Sequence, residues 1–210
     1  MKIKEILRPL LPTALVDYLR KEWVVPAIHQ KWVRAGKPLP PPHAIKQMTL
    51  REYARRFQLR ILVETGTYRG VMIEAQRQHF DKIYSIELEP ALFRAAQARF
   101  KAWSHIQILE GDSGKVLPQL VPALSEAALF WLDGHYSAGE TALGDKECPI
   151  YEELEAVLTP PYSHVILIDD ARCFNGTHDY PTLEALADFI RTKAPHYHFE
   201  AKDDIIRLTP

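Results

Sequence analysis

The stretch Ile61-Leu62-Val63-Glu64-Thr65-Gly66-Thr67-Tyr68-Arg69-Gly70 constrains this chain more than any other. A short apolar run ends in an acid, two glycines follow at a spacing of four, and a mixed, helix-compatible segment begins. A buried parallel strand turns into a helix in this way around a nucleotide-like ligand. Glycine lets the backbone approach the ligand closely, and a helix start offers free N–H groups. A second acid, Glu87, closes the next apolar run, Lys82-Ile83-Tyr84-Ser85-Ile86-Glu87. An acid at the tip of the second strand, about 20 residues on, is the usual partner of ribose hydroxyls.

The pattern then repeats. Ile106-Gln107-Ile108-Leu109-Glu110-Gly111-Asp112-Ser113 reads as a third strand ending in a polar pair. Ala127-Ala128-Leu129-Phe130-Trp131-Leu132-Asp133 reads as a fourth, and His164-Val165-Ile166-Leu167-Ile168-Asp169-Asp170 as a fifth. Short apolar runs alternating with helical patterns indicate βαβ units and a parallel sheet covered on both faces. Helices are expected over residues 49–60, 70–79, 90–102, 149–158 and 181–193, with Thr49 as N-cap and Glu52 completing a capping box. The segment 197–208 reads as two strands joined by a tight polar turn. In an open α/β sheet ligands bind outside the carboxyl ends of the strands, which is where this chain puts its acids and glycines.

Composition sets outer bounds. At 210 residues and 47% hydrophobic content the chain can bury one sizeable core. A net charge of −1 lacks the basic excess of a nucleic-acid surface. Cys148 and Cys173 form no disulfide framework. With no apolar run long enough to span a bilayer and no signal-peptide pattern, the expected location is cytoplasmic. Ile3, Ile6, Leu7, Leu10, Leu11, Leu15, Val16 and Leu19 have helix-like spacing, broken by Pro9 and Pro12 and interleaved with basic residues. That segment reads as a helical flap or as an amphipathic arm for a weak peripheral membrane contact or homo-oligomerisation. Gly36-Lys37-Pro38-Leu39-Pro40-Pro41-Pro42 is a stiff connector, so the expected division is an extension over 1–48 and a main domain over 49–210.

On Glu64-Thr65-Gly66-Thr67-Tyr68-Arg69-Gly70, Glu87 and Gly111-Asp112-Ser113, in that order, residues 57–210 resemble a class I S-adenosylmethionine-dependent methyltransferase. The resemblance implies a doubly wound, Rossmann-like sheet of mostly parallel strands, seven in the family, closed by a C-terminal antiparallel hairpin. Within the superfamily, Leu132-Asp133-Gly134-His135 and Ile168-Asp169-Asp170 are similar to the strand ends of divalent-metal-dependent O-methyltransferases of the catechol, caffeoyl-CoA and macrolide-sugar types. Those enzymes hold Mg²⁺ with three carboxylate or amide side chains from these two places.

The resemblance implies a role for each residue. Glu64 would sit near the methionine amino group of S-adenosylmethionine. Gly66 and Gly70 would allow close approach, and Tyr68 would cover the ligand. Glu87 would accept both ribose hydroxyl protons, and Asp112 and Ser113 would contact the adenine. Asp133, Asp169 and Asp170 would repel one another unless a cation compensates, which Mg²⁺ does. Which of Asp169 and Asp170 faces the ion stays open, because neighbouring strand residues face opposite ways. His135 is the candidate general base. The catechol type carries a lysine just after the strand-four acid, and here Gly134-His135-Tyr136-Ser137 follows instead, so a local hydrogen-bonding role for His135 stays open too. His178, Asp179 and Tyr180 would line an acceptor pocket or lie at the surface. Residues 137–147 have the make-up of a lid. Arg172 would bind an anionic acceptor or pair with a neighbouring aspartate.

The expected activity is thus Mg²⁺-assisted methyl transfer to a hydroxyl of a small molecule, a sugar or natural product. The alternatives are a metal-dependent, hydroxylase-like relative of the same fold and a non-catalytic nucleotide-binding module.

Overall fold

The computed structural model describes residues 24–134, 148–159 and 161–210. The chain divides into two compact units, Met1–Met48 and Thr49–Pro210. The amphipathic pattern of residues 3–19, His135 and the lid-like stretch 137–147 all lie outside the described residues.

In the first unit, helix α1 (Val25–Arg34) carries Trp32, whose Nε1 donates to the Pro38 carbonyl at 2.9 Å while the Lys37 ammonium lies 5.3 Å from the ring centroid. These two contacts fold the proline-rich connector back on its own helix. Helix α2 (His43–Arg56) starts directly after the prolines, six residues before the expected start at Thr49. Thr49 is therefore an interior helical residue and not an N-cap. A Thr-x-x-Glu spacing also occurs inside helices, and here the preceding prolines end the extended chain earlier.

The second unit is one sheet of seven strands. These are β1 (Ile61–Thr65), β2 (Lys82–Glu87), β3 (Ile106–Glu110), β4 (Leu129–Leu132), β5 (Val165–Ile168), β6 (His198–Lys202) and β7 (Ile205–Thr209), in spatial order β3-β2-β1-β4-β5-β7-β6. The first five are parallel, and β7 runs antiparallel to both β5 and β6. Burial explains why the central strands read as continuous apolar runs. Ile61 and Val63 enter one hydrophobic layer and Leu62 the other, and Ile166 and Ile168 oppose Val165 and Leu167 in the same way. Both faces of the sheet are covered by helices, so neither side tolerates polar alternation.

The covering helices are α3 (Val71–Gln76), α4 (Pro90–Phe100), α5 (Ser113–Leu120), α6 (Ile150–Val157) and α7 (Leu183–Lys193). The expected helices differ from these by one to three residues at their ends; α4 stops at Phe100, two residues short of Ala102. α3 stops three residues short of His79, and α7 begins after Thr182, whose hydroxyl accepts from the Ala185 N–H at 3.1 Å. α5 carries no helical expectation because it is short and holds Pro118. No helix among the described residues is long and apolar enough to cross a membrane.

Candidate active site

β1 leads to β2 and β3 on one side of the sheet, while β4 and β5 lie on the other. The crevice beyond the carboxyl ends of β1 and β4 is therefore the topological switch point. The β1 turn is built around Gly66, whose φ is +81°. A Cβ there would collide with the Asp133 carbonyl group, its carbon at 2.9 Å. Gly66 is thus required where the end of β1 packs against the backbone of Asp133 at the end of β4. Gly70, with φ of +65°, faces the Phe100 ring, whose Cε2 would lie 2.6 Å from an added Cβ. Both glycines answer to packing within the protein. Across the same junction the Thr65 hydroxyl accepts the N–H groups of Asp133 at 3.2 Å and Gly134 at 3.1 Å.

Glu64, the last acid of β1, is buried and accepts the Ser85 hydroxyl proton at 2.6 Å; the Thr67 hydroxyl lies 2.6 Å from the same Ser85 oxygen. Burial pushes the Glu64 carboxyl up to about 8, with Ser85 pulling it down and Glu87 adding to the rise. Glu87 is also buried, and its carboxylate shapes the β1 turn: one oxygen accepts the Tyr68 N–H at 2.7 Å and the other the Glu89 N–H at 2.9 Å. Each oxygen keeps a lone pair for a further donor. Tyr68 stands exposed in the left-handed region, φ +47°, with the Arg69 guanidinium 5.3 Å from its ring centroid. Asp112 caps α5 by accepting the Gly114 N–H at 2.9 Å, and Ser113 beside it is buried.

Asp133, Asp169 and Asp170 come together: one carboxylate oxygen of each lies within 4.8 Å of the others. The strand pattern leaves open which of Asp169 and Asp170 faces the cluster, and both do, for a local reason. β5 ends at Ile168, and Asp170 sits in the left-handed region with φ +55°, which turns its side chain back to the same place as that of Asp169. The Asp170 N–H donates to the Asp169 carboxylate at 2.8 Å. Arg172 answers the question left by the sequence. Its guanidinium binds Asp170 at 2.8 Å and also the carboxylate of Asp204, a buried residue of the β6–β7 turn. Asp204 further accepts the Arg172 N–H at 2.8 Å, so the C-terminal hairpin holds the loop that presents Asp170. The donor set is all oxygen and closely spaced, which suits a hard divalent cation.

Among the remaining candidates, His178 and Asp179 are exposed and both left-handed, in a loop closed by the Asn175–Thr182 bridge. Tyr180 is half-buried with its ring edge-on to Phe174 at 5.3 Å, and burial raises its hydroxyl. One acid of the crevice escapes the sequence reading. Glu153, in the first turn of α6, is fully buried, and burial pushes its carboxyl up to about 7 against the pull of the Ser113 and Thr65 hydroxyls. Its sequence, Tyr151-Glu152-Glu153-Leu154, reads as an ordinary acidic helix start. Only its register, one residue before Leu154 on the buried face, hints otherwise.

No family model matches this sequence, and no curated protein matches it. Solved structures do. An O-methyltransferase from Bacillus cereus, solved in complex with SAH, is 15% identical with a TM-score of 0.56 over 94% of this chain and 98% of that one. TomG from Streptomyces achromogenes, an O-methyltransferase involved in tomaymycin synthesis and solved with SAM, is 16% identical with a TM-score of 0.57 over 99% and 98%. The SAH-bound methyltransferase PaMTH1 of Podospora anserina is 17% identical with a TM-score of 0.54 over 95% and 97%. With its strand order, its antiparallel last strand and these likenesses, the chain has the Rossmann-like fold of class I S-adenosylmethionine-dependent methyltransferases.

Proposed function

We propose that this protein transfers the methyl group of S-adenosylmethionine to a hydroxyl of a small molecule, with a divalent cation, Mg²⁺, at the acidic cluster. One observation carries the reading. At the switch point the Gly66 turn packs on the Asp133 backbone, so a cofactor crevice lined by Glu64 and Glu87 adjoins the cluster of Asp133, Asp169 and Asp170. The net charge of −1 favours a small acceptor over a nucleic acid.

In this reading Glu87 does double duty. Its two backbone hydrogen bonds hold the β1 turn, and its free lone pairs accept the ribose hydroxyl protons. Glu64 faces the methionine ammonium, Tyr68 covers the ligand, and Asp112 with Ser113 meets the adenine. Asp133, Asp169 and Asp170 would hold the cation, which when bound lowers the acceptor hydroxyl pKa and orients it. His135 takes the hydroxyl proton. The remaining acceleration comes from alignment: the rigid junction of β1 and β4 fixes methyl donor and acceptor relative to each other, and such positioning can supply several kcal/mol, up to roughly 7–11.

The test is methyl transfer to a panel of hydroxylated acceptors, read by product mass. A product heavier by one methylene is expected; one heavier by an oxygen would instead mark a hydroxylase-like relative. Activity should vanish in EDTA, return with Mg²⁺, and be absent in Asp133→Asn and Asp169→Asn. Both variants should stay folded, because like-charge repulsion is relieved. Full activity in chelator together with an active Asp169→Asn variant would remove the metal from the account.

A further inference from the structure

An acid in the first turn of a helix ordinarily faces the free N–H groups or solvent, where the helix dipole favours it. Glu153 does neither. It is fully buried, and neither of its oxygens has a hydrogen-bond partner among the described residues. A buried carboxylate left in this state is costly, so a chain that keeps one gains something other than stability from it.

Its surroundings indicate what. A Cβ built on Gly134 would lie 3.0 Å from the Thr65 hydroxyl oxygen and 3.5 Å from Glu153 Oε1, so the carboxylate, the hydroxyl and the turn after β4 share one packed spot. The Thr65 oxygen already accepts two N–H groups, from Asp133 and Gly134. Its own proton serves neither of these bonds, and the Glu153 carboxylate is an acceptor packed at the same spot. The start of its helix also packs on the start of α5, where a Cβ built on Gly114 would lie 3.2 Å from the Glu152 Cβ.

We infer that Glu153 is a positioning residue of the cofactor crevice, whose buried carboxylate packs beside the Thr65 hydroxyl and the turn after β4 and so holds the ends of β1 and β4 against the start of α5. The inference rests on the proposed methyltransferase function for the ligand it serves. This packing links the acid side of the crevice, at Asp133, to the adenine side, at Ser113. Neither Thr65 nor Glu153 needs to touch the ligand for this to matter.

The experiment is a double-mutant cycle of Glu153→Gln with Thr65→Val, read by S-adenosylhomocysteine affinity in calorimetry and, without ligand, by thermal unfolding. Glu153→Met, an apolar side chain of similar length, is the companion variant. Glu153→Gln and Glu153→Met should weaken S-adenosylhomocysteine about tenfold or more while their melting temperatures stay level or rise, since a buried carboxylate has been removed. Once Glu153 is replaced, Thr65→Val should cost less affinity than it does in the wild type. Wild-type affinity in both Glu153 variants, full additivity with Thr65→Val, or a loss of affinity that only tracks a fall in melting temperature would overturn the inference. A wild-type protein that binds neither S-adenosylmethionine nor S-adenosylhomocysteine would instead overturn the function on which it rests.

Discussion

Single residues of the crevice each carry more than one constraint. Gly66 is the sharpest case, since both its positive φ and the Asp133 carbonyl exclude a side chain. The left-handed conformation alone costs an L-residue about 1–2 kcal/mol. With the clash added, Gly66→Ala should lower unfolding free energy by more than about 2 kcal/mol in a denaturant titration. A smaller loss would mean that the β1–β4 junction yields. Glu64 makes a prediction about pH. Its folded carboxyl sits at about 8 against an ordinary 4.5, so the folded state holds a proton that the unfolded state has lost. This group therefore makes stability fall as pH rises from about 4.5 to about 8, and contributes no further change outside that window. A cofactor ammonium beside Glu64 favours the ionised form, so binding near neutral pH should release a proton. Calorimetry in buffers of different ionisation enthalpy reads this directly, and the release should disappear in Glu64→Gln. Buffer-independent heats in the wild type would detach Glu64 from the cofactor.

At the scale of elements, what the sequence makes legible follows from burial. β1, β4 and β5 are buried on both faces and appear as unbroken apolar runs, and the acid that ends each run marks the carboxyl edge. The features that the sequence hides are those set by tertiary contact. The convergence of Asp169 and Asp170 depends on one left-handed residue, and aspartate adopts that conformation without announcing it. The start of α2 depends on the prolines more than on Thr49. Glu153 looks like any acid of a helix start until its helix is laid against Gly134. The hairpin is a further case: its turn, Asp203-Asp204, is recognisable as a turn, but its grip on Arg172 joins residues 32 positions apart. Asp204→Ala removes the acceptor for both the Arg172 N–H and its guanidinium. It should lower stability by about 1–3 kcal/mol. Unchanged melting of that variant would show that the loop after β5 holds its shape without the hairpin.

Across the whole second unit, the strand order places a break in direction between β1 and β4, and the chain's acids gather on either side of it. Glu64 and Glu87 belong to the β1–β2 side, while Asp133, Asp169 and Asp170 belong to the β4–β5 side. The proposed cofactor crevice and the acidic cluster are thus brought together by topology, and the Thr65 hydroxyl and the Gly66 turn fasten the junction. The most direct measurement of this account is calorimetry of S-adenosylhomocysteine with the wild type and with Glu87→Ala. The wild type should bind at micromolar or tighter affinity. Glu87→Ala should lose about 1.5–3 kcal/mol, the range for hydrogen bonds to a charged group. Absence of binding by the wild type to either S-adenosylhomocysteine or S-adenosylmethionine would contradict the central claim, leaving a methyltransferase fold without its cofactor.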